Sequence, residues 1–332
     1  MTTSADVAQK LAEELAEAAG GTVRAIFLYG SRLSGAQPDR YSAYDFVVVV
    51  DTYRAFYRTM ARNRAINRPA WLLVMLSHLL PPNVVAFAPR DGADGLAKCL
   101  VINPRGLARG LSLVPPDHFL MARMVQRVRL VWVRDEATEQ GLERLLAAAR
   151  RGVLAWVGPF LPERFDAETV GRTLLDVCYR AELRPEAGNR STVVFENQTD
   201  FFRETYGPIL ERAAARGLLE RSKRGGYRFA VPPPALQRVR WSVHFKLSRL
   251  RVTARWLKHV MTFDQWLPYA QRKVERRTGM EIHLTTLERK LPLIFLWPRV
   301  IGIFLARPPG VRGGADAGET TQPPPSDDED AL

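Results

Sequence analysis

The sequence predicts an α/β protein, and three observations support this. First, two β-branched and aromatic runs, Val23–Tyr29 and Tyr44–Val50, read as strands buried on both faces. Second, further short apolar runs at 84–88, 96–102 and 128–133 alternate with helical patterns, as expected where helices cover a sheet. Third, 332 residues with 46% hydrophobic side chains can form a substantial core.

The helical pattern begins and ends with recognisable signals. Ser4 can cap a first helix, and Gly20 with Gly21 ends it. Apolar spacing predicts helices over 136–154 and 166–183. Two short helices at 200–206 and 208–218, followed by a turn and strand at 225–231, predict a winged-helix-like unit.

Composition divides the chain into four predicted parts. Residues 1–135 form the α/β unit, and residues 136–232 form the helical, winged-helix-like domain, which ends at a stiff triple proline. Residues 233–307 form a basic helical module in which Lys and Arg far outnumber acids, with possible membrane association. The Gly-, Pro- and acid-rich residues 308–332 are predicted to be disordered.

The net charge and the cysteine content limit the kinds of binding partner and the cellular compartment that we expect. The net charge of +13 predicts a surface that attracts polyanions, namely nucleotides, nucleic acid or an anionic lipid leaflet. Cys99 and Cys178 each lie in an apolar run and predict reduced, buried thiols. The first 21 residues read as an ordinary helix without a secretory or transit signal, so we expect a cytoplasmic protein.

The residues with the clearest chemical potential are Gly30, Ser31 and Asp45. A glycine turn after a strand lets the backbone approach phosphates closely, and the Ser31 hydroxyl can bond to them. Asp45, on the next strand, can hold Mg²⁺ between those phosphates and an attacking oxygen. Asp51 lies too far along the strand to share one ion. A common turn followed by a solvated edge charge explains the same residues equally simply.

The order of the motifs points to one family. The Gly-Ser turn followed by a strand Asp is similar to the polymerase-β-like nucleotidyltransferase superfamily. Over residues 25–218 the chain resembles the mitochondrial-type phosphatidate cytidylyltransferases, also named CDP-diacylglycerol synthases or mitochondrial translocator assembly and maintenance proteins. The resemblance rests on Tyr29-Gly-Ser-Arg32, Tyr44 to Asp51, Lys98, Arg123, Tyr179 to Arg184, and Asp200 to Leu210.

The resemblance implies a set of site residues. Asp45, Glu182 and Lys98 would be catalytic, and Asp45 and Glu182 would also bind Mg²⁺ as the cofactor. Glu182 stands where the family has Asp. The residues that would bind CTP are Gly30, Ser31, Arg123, Tyr179 and Arg184.

The implied reaction transfers CMP from CTP to phosphatidate, giving CDP-diacylglycerol and pyrophosphate in phospholipid biosynthesis. A phosphate monoester is already largely ionised near neutral pH, so the acceptor needs no strong general base. The most apolar segment, residues 291–306, is shorter than the roughly 20 residues that span a bilayer and contains Arg299. We therefore expect peripheral association with an anionic membrane surface, at the inner face of the cell membrane; packing of this segment within the protein is the alternative.

Two other functions fit the same residues. A nucleotidyltransferase of this fold could modify RNA, a small molecule or a protein, although nucleic acid is not the partner we expect. A degenerate, non-catalytic member could bind nucleotide or membrane as an adaptor. Assays with different acceptors separate these alternatives.

Overall fold

The computed structural model describes residues 4–33, 43–88, 95–180 and 190–262. Within them, the strands are β1 (Val23–Tyr29), β2 (Tyr44–Val50), β3 (Asn83–Phe87), β4 (Ala97–Ile102), β5 (Arg129–Val133), β6 (Leu219–Arg221) and β7 (Tyr227–Phe229). The first five confirm the predicted strands to within a residue or so at each end, because each is a continuous apolar run ended by a polar residue or a turn.

Helices fill most of the remaining described sequence. They are α1 (Ser4–Ala18), α2 (Tyr53–Arg62), α3 (Ala70–Leu79), α4 (Pro104–Gly110), α5 (Met121–Met124), α6 (Glu136–Arg151), α7 (Val153–Val157), α8 (Ala167–Arg180), α9 (Arg190–Glu196), α10 (Thr199–Ala215) and α11 (Ala235–Thr262). A single 3-10 turn covers Gly158–Phe160. Side-chain caps start several helices: Thr52 accepts from the Ala55 N–H, and Asp135 accepts from the Thr138 N–H.

The five long strands form one mixed sheet in the order β3-β4-β2-β1-β5. β2 pairs with β4 in parallel, and the other neighbouring strands are antiparallel. β2 and β1 therefore lie inside the sheet, and every residue of β2 except Asp45 is buried. A half-buried carboxylate on an otherwise apolar central strand is the first structural sign of a site.

Helices cover both faces of the sheet. Alternate side chains of β2 point to opposite faces. Phe46, Val48 and Val50 join a buried cluster with α1, α2 and α3. Val47 and Val49 join a second cluster that continues through the helices after residue 104. By this alternation the side chain of Asp45 points to the second face, at the start of β2.

One predicted pair of helices was wrong. Residues 199–215 form the single helix α10 with Pro208 inside it, where two short helices were expected. Proline removes one backbone hydrogen bond and usually interrupts a helix. Here a buried face runs past Pro208 on both sides, from Phe202 and Tyr206 to Ile209 and Leu210, so packing on the core offsets the lost bond.

A small ribbon and a long helix complete the described chain. β6 and β7 form a two-stranded antiparallel sheet after α10. α11 begins directly after the triple proline, and its buried residues include Trp241, Phe245 and Val252. The backbone N–H of His118 donates to the Ser248 hydroxyl at 2.9 Å, which fixes α11 against the loop before α5.

The described residues, 4–33, 43–88, 95–180 and 190–262, belong to one compact unit. The buried cluster on the second sheet face joins Phe27, Phe202 and Trp241, which come from three of the predicted parts of the chain. The divisions at residues 135 and 232 fall inside this unit and remain predictions. Residues 263–307 and the predicted disordered tail at 308–332 lie outside the described residues.

Candidate functional site

Gly30 and Asp45 meet at one end of the central strand pair. β1 and β2 are antiparallel with Tyr29 paired to Asp45, so the turn after β1 faces the start of β2. Gly30 has φ +82°, a left-handed conformation that glycine adopts without steric cost. A Cβ atom on residue 30 would lie 2.7 Å from Oδ2 of Asp45, closer than real Cβ contacts. Glycine is thus required at this position by both backbone conformation and space.

The chain turns immediately after Gly30. The Leu33 N–H donates to the Gly30 carbonyl at 3.1 Å, and Ser31 is half-buried within the turn. The Arg32 guanidinium lies 4.7 Å from the ring centre of Tyr44, whose side chain belongs to the buried cluster on the sheet face opposite Asp45. Arg32 belongs to the Tyr29-Gly-Ser-Arg32 motif, and its contact with the Tyr44 ring depends on the strand pairing that brings this turn to the start of β2.

Lys98 is the predicted site residue that the structure brings to Asp45. In the parallel pairing of β2 with β4, Asp45 stands directly opposite Lys98. Lys98 Nζ lies 4.0 Å from Asp45 Oδ1, and the two side chains are 34% and 28% exposed. Side chains at paired positions share a sheet face, so both groups project to the same half-open region beside the Gly30 turn.

The ionised carboxylate of Asp45 acts on its surroundings. Burial raises the pKa of the Cys99 thiol, and the negative charge of Asp45 raises it further. Cys99 is buried and free, as predicted for a thiol in an apolar run. Cys178 is likewise buried and free.

The donor set fits Mg²⁺ only in part within the described residues. No group of three or more His, Cys, Asp or Glu side chains that could hold a metal occurs in that portion of the chain. Mg²⁺ in phosphoryl-transfer sites is held by one or two carboxylates together with substrate phosphates, so Asp45 alone can contribute one ligand. Glu182, the predicted second ligand, lies outside the described residues, as does Arg184.

Asp51 has a structural role at the opposite end of β2. It accepts hydrogen bonds from Arg24 at 2.5 Å and Arg134 at 2.8 Å. Burial alone would raise the pKa of Asp51, but these two guanidinium groups hold it below its usual value. Asp51 therefore joins β1 and the end of β5 to β2.

Arg123 belongs to a second group of charges. Its guanidinium donates to the Phe119 carbonyl at 2.5 Å and lies 3.7 Å from the Phe119 ring centre. Arg255 of α11 lies 4.6 Å from the same ring and also donates to the Pro81 carbonyl at 2.8 Å.

Pro81 precedes the end of β3 that is remote from Lys98. In the pairing of β3 with β4, Lys98 stands opposite Ala86, and Asn83 at the start of β3 stands opposite Val101. Val101 lies three residues along β4 from Lys98, a distance of about 10 Å. The described contacts of Arg123 thus place it with Phe119 and Arg255, and its predicted grouping with Asp45 remains a prediction.

Tyr179 lies near the end of α8, half-buried against the large cluster on the second sheet face. The residues that follow it, 181–189, lie outside the described part. The structure thus gives the position of Tyr179 but does not relate it to Asp45.

Comparison with known proteins adds no assignment. No family model matches the chain, and no curated protein matches it either. The case for a function therefore rests on the arrangement of Gly30, Asp45 and Lys98.

Proposed function

We propose that the protein is a nucleotidyltransferase that transfers CMP from CTP to phosphatidate. The observation that carries this proposal is the close approach of Asp45 to the Gly30 turn, with Lys98 opposite Asp45 on the parallel strand. A glycine turn, a carboxylate and a cation within one region are groups that phosphoryl transfer requires. The polymerase-β-like fold and the winged-helix-like unit are part of the same proposal.

In this reaction a phosphate oxygen of phosphatidate attacks the α-phosphorus of CTP, and pyrophosphate leaves. Backbone N–H groups and the Ser31 hydroxyl bind the triphosphate beside Gly30, while Lys98 neutralises charge on the phosphoryl oxygens. Asp45 and Glu182 would hold Mg²⁺, which supplies further charge neutralisation between nucleotide and acceptor. Arg123, Tyr179 and Arg184 are the remaining proposed CTP-binding residues.

The outer surface of α11 supports docking at an anionic membrane. Opposite its buried stripe, α11 exposes an apolar row of Leu236, Val239, Val243, Leu247 and Leu250. The helix carries no Asp or Glu, and its exposed basic residues include Arg238, Arg240, Lys246, Arg249 and Arg251. Exposed apolar residues flanked by cations are typical of helices that lie in the headgroup layer. Among the described residues, no helix meets the length and hydropathy needed to cross a membrane.

A non-catalytic nucleotide-binding protein is the second candidate. The observation that favours it is the single carboxylate at the site within the described residues. Such a protein would bind CTP without forming product from any acceptor.

The test is an assay of purified protein with radiolabelled CTP, Mg²⁺ and phosphatidate in mixed micelles. We expect CDP-diacylglycerol and pyrophosphate in equal amounts, and a loss of at least about a hundredfold in Asp45→Asn. Asp51→Asn is the matched control, since it removes a carboxylate from the other end of the same strand. Absence of lipid product from the unmodified protein would refute the proposal.

An acceptor screen separates the remaining alternatives. The four nucleoside triphosphates are each tested with phosphatidate, RNA and a small-molecule phosphate. Product with RNA alone would indicate the other transferase, whereas CTP binding that is insensitive to Asp45→Asn and gives no product would indicate the adaptor.

A further inference from the structure

The helical hairpin of α2 and α3 carries a feature that the proposed catalytic site does not use. Both helices pack on the sheet face opposite Asp45, α2 through Phe56, Tyr57 and Met60 and α3 through Leu73. The Ser77 hydroxyl of α3 donates to the Tyr57 hydroxyl of α2 at 3.2 Å. Because the two helices lie side by side on one sheet face, their outward residues share one surface.

α3 exposes its apolar residues in a row. Trp71, Met75 and Leu79 follow one another at four-residue spacing and are 70%, 51% and 67% exposed. The buried residues Leu73, Leu76 and Ser77 lie on the other side of the helix. Large apolar side chains exposed together mark an interaction surface, whereas single exposed residues do not.

α2 exposes a row of positive charge beside this apolar row. Arg54, Arg58 and Arg62 have the same four-residue spacing and are all exposed. The sequence from residue 52 to residue 88 contains no Asp or Glu. We name the six residues of the two rows the α2–α3 outer face.

We infer that the α2–α3 outer face docks on an anionic lipid bilayer, with Trp71, Met75 and Leu79 in the headgroup and acyl boundary and the arginines on lipid phosphates. Tryptophan favours this boundary, because its ring is apolar and its N–H still finds a partner there. Arginine forms paired hydrogen bonds with phosphate groups. An acid-free basic surface complements a negatively charged leaflet.

This inference concerns a membrane contact separate from α11, and it does not require CMP transfer. The proposed function needs Asp45 and its neighbours, which lie on the opposite sheet face. Asp45→Asn should therefore bind vesicles as well as the unmodified protein. Vesicle binding without turnover would count against the proposed function alone.

The experiment measures partition of the full chain onto phosphatidylcholine vesicles with and without phosphatidylglycerol. We expect the triple variant Trp71→Gln, Met75→Gln and Leu79→Gln to bind anionic vesicles at least about tenfold more weakly. It loses the three apolar side chains that are exposed in the free protein and would enter the bilayer on binding. The matched control replaces three equally exposed apolar residues elsewhere: Leu113→Gln, Leu218→Gln and Val231→Gln. It should bind within about twofold of the unmodified protein.

A second variant tests the charge. Arg54→Gln, Arg58→Gln and Arg62→Gln together should weaken binding to anionic vesicles and reduce its salt dependence, with little effect on neutral vesicles. Circular dichroism establishes that each variant keeps its helices. Equal binding of both triple variants and the unmodified protein would overturn the inference.

Trp71 itself reports the occupant. The fluorescence of Trp71 is obtained by subtracting the emission spectrum of Trp71→Phe from that of the unmodified protein. Its maximum should move to shorter wavelength when anionic vesicles are added. Emission that is already blue-shifted and shielded from acrylamide without lipid would show that another segment of the chain covers Trp71, which overturns the inference. If the unmodified protein sediments as an oligomer and the Trp71, Met75 and Leu79 triple variant sediments as a monomer, the α2–α3 outer face binds a second copy of the chain. This result would also overturn the inference.

Discussion

Gly30 and Asp45 lie so close together that any residue with a Cβ atom at position 30 would require the Asp45 carboxylate to move. The carboxylate oxygen Oδ2 would be 2.7 Å from an added Cβ, and Gly30 already has a positive φ of +82°. The strand pairing of Tyr29 with Asp45 sets this distance. The turn and the carboxylate therefore form one unit in which a change in either residue displaces the other.

Gly30→Ala is predicted to abolish most activity while leaving the protein folded. The left-handed conformation costs an alanine about 1–2 kcal/mol, and the new methyl group must displace the Asp45 carboxylate from its observed position opposite Lys98. We expect CMP transfer to fall at least about tenfold, measured as kcat with saturating CTP.

Gly21→Ala is the control for backbone strain. Gly21 has a φ of +78°, and an added Cβ there would meet nothing within 4 Å. Its free energy of unfolding should fall by a similar amount, with activity unchanged. Equal loss of activity in both variants would show that Gly30 matters only through stability.

Asp117 and Arg255 form a buried ion pair whose disruption should be costly. Arg255 is 1% exposed, and its Nη2 donates to Asp117 Oδ2 at 2.7 Å. Asp117→Asn leaves the guanidinium charge without a countercharge, so we expect urea unfolding to show a loss of about 3–5 kcal/mol.

The double variant Asp117→Leu with Arg255→Met should recover much of this loss, because it leaves no buried charge of this pair; Arg251, which lies 3.6 Å from Asp117, is 47% exposed and stays solvated. Glu211→Gln serves as the surface control: Glu211 pairs with exposed Arg221, and such pairs contribute about 1 kcal/mol or less. A loss in Asp117→Asn no larger than in Glu211→Gln would contradict the predicted role of burial.

The sheet could be predicted from sequence because its strands are encoded locally. Runs such as the Val47 to Val50 segment have one structural solution, a strand buried on both faces. Asp45 was predicted as a site residue because it lies on the strand that follows the Gly30-Ser31 turn. Lys98 was predicted only through the resemblance, and its pairing with Asp45 was not predicted, because the register of two parallel strands is not encoded in either strand alone.

Contacts between distant segments could not be predicted. Arg255 and Asp117 are 138 residues apart, and no local pattern relates them. Pro208 was predicted to divide a helix because its local effect is strong, whereas the compensating packing of Tyr206 and Ile209 depends on the folded core. The stacking of Arg32 on Tyr44 likewise requires the turn to be closed.

Asp51 should make stability depend on acid pH. The hydrogen bonds from Arg134 and Arg24 depress its pKa in the folded state below the unfolded value near 3.8. The stabilisation is therefore present above the unfolded pKa and is lost as pH falls through the lower, folded pKa. We expect Asp51→Asn to lower the free energy of unfolding by about 1 kcal/mol at neutral pH and by less in acid.

Thermal unfolding from neutral pH to about pH 2 measures this difference. Asp200→Asn is the control, because Asp200 is largely exposed and 3.6 Å from Arg203. If the difference in stability between Asp51→Asn and the unmodified protein stays constant down to the lowest pH, the Asp51 carboxylate is not the group that makes stability depend on acid pH.

Lys258 fixes the end of α11 to the end of α3. Its ammonium donates to the carbonyls of Leu76 at 3.2 Å and Pro82 at 3.0 Å, and it also donates to the Leu80 carbonyl. These groups include carbonyls that the helix end leaves without an internal partner. A buried lysine thus replaces water at a helix C-terminus.

The environment of Lys258 should make stability rise with pH in the alkaline range. Burial lowers its pKa to about 7, and the positive charge of Arg255 acts in the same direction, whereas Asp117 opposes both. Because the unfolded pKa is near 10.5, the unfolded chain binds more protons between these values, and the free energy of unfolding increases with pH there. The slope should be at most about 1.4 kcal/mol per pH unit.

Lys258→Met removes the titrating group, so urea unfolding from about pH 7 to about pH 9 should show a flatter profile than in the unmodified protein. Lys246→Met is the matched control, since Lys246 lies on the same helix and is exposed. It should keep the original slope. Equal slopes in Lys258→Met and the unmodified protein would mean that the three carbonyl acceptors hold the ammonium charged throughout, so that hydrogen bonding at the end of α3 outweighs desolvation.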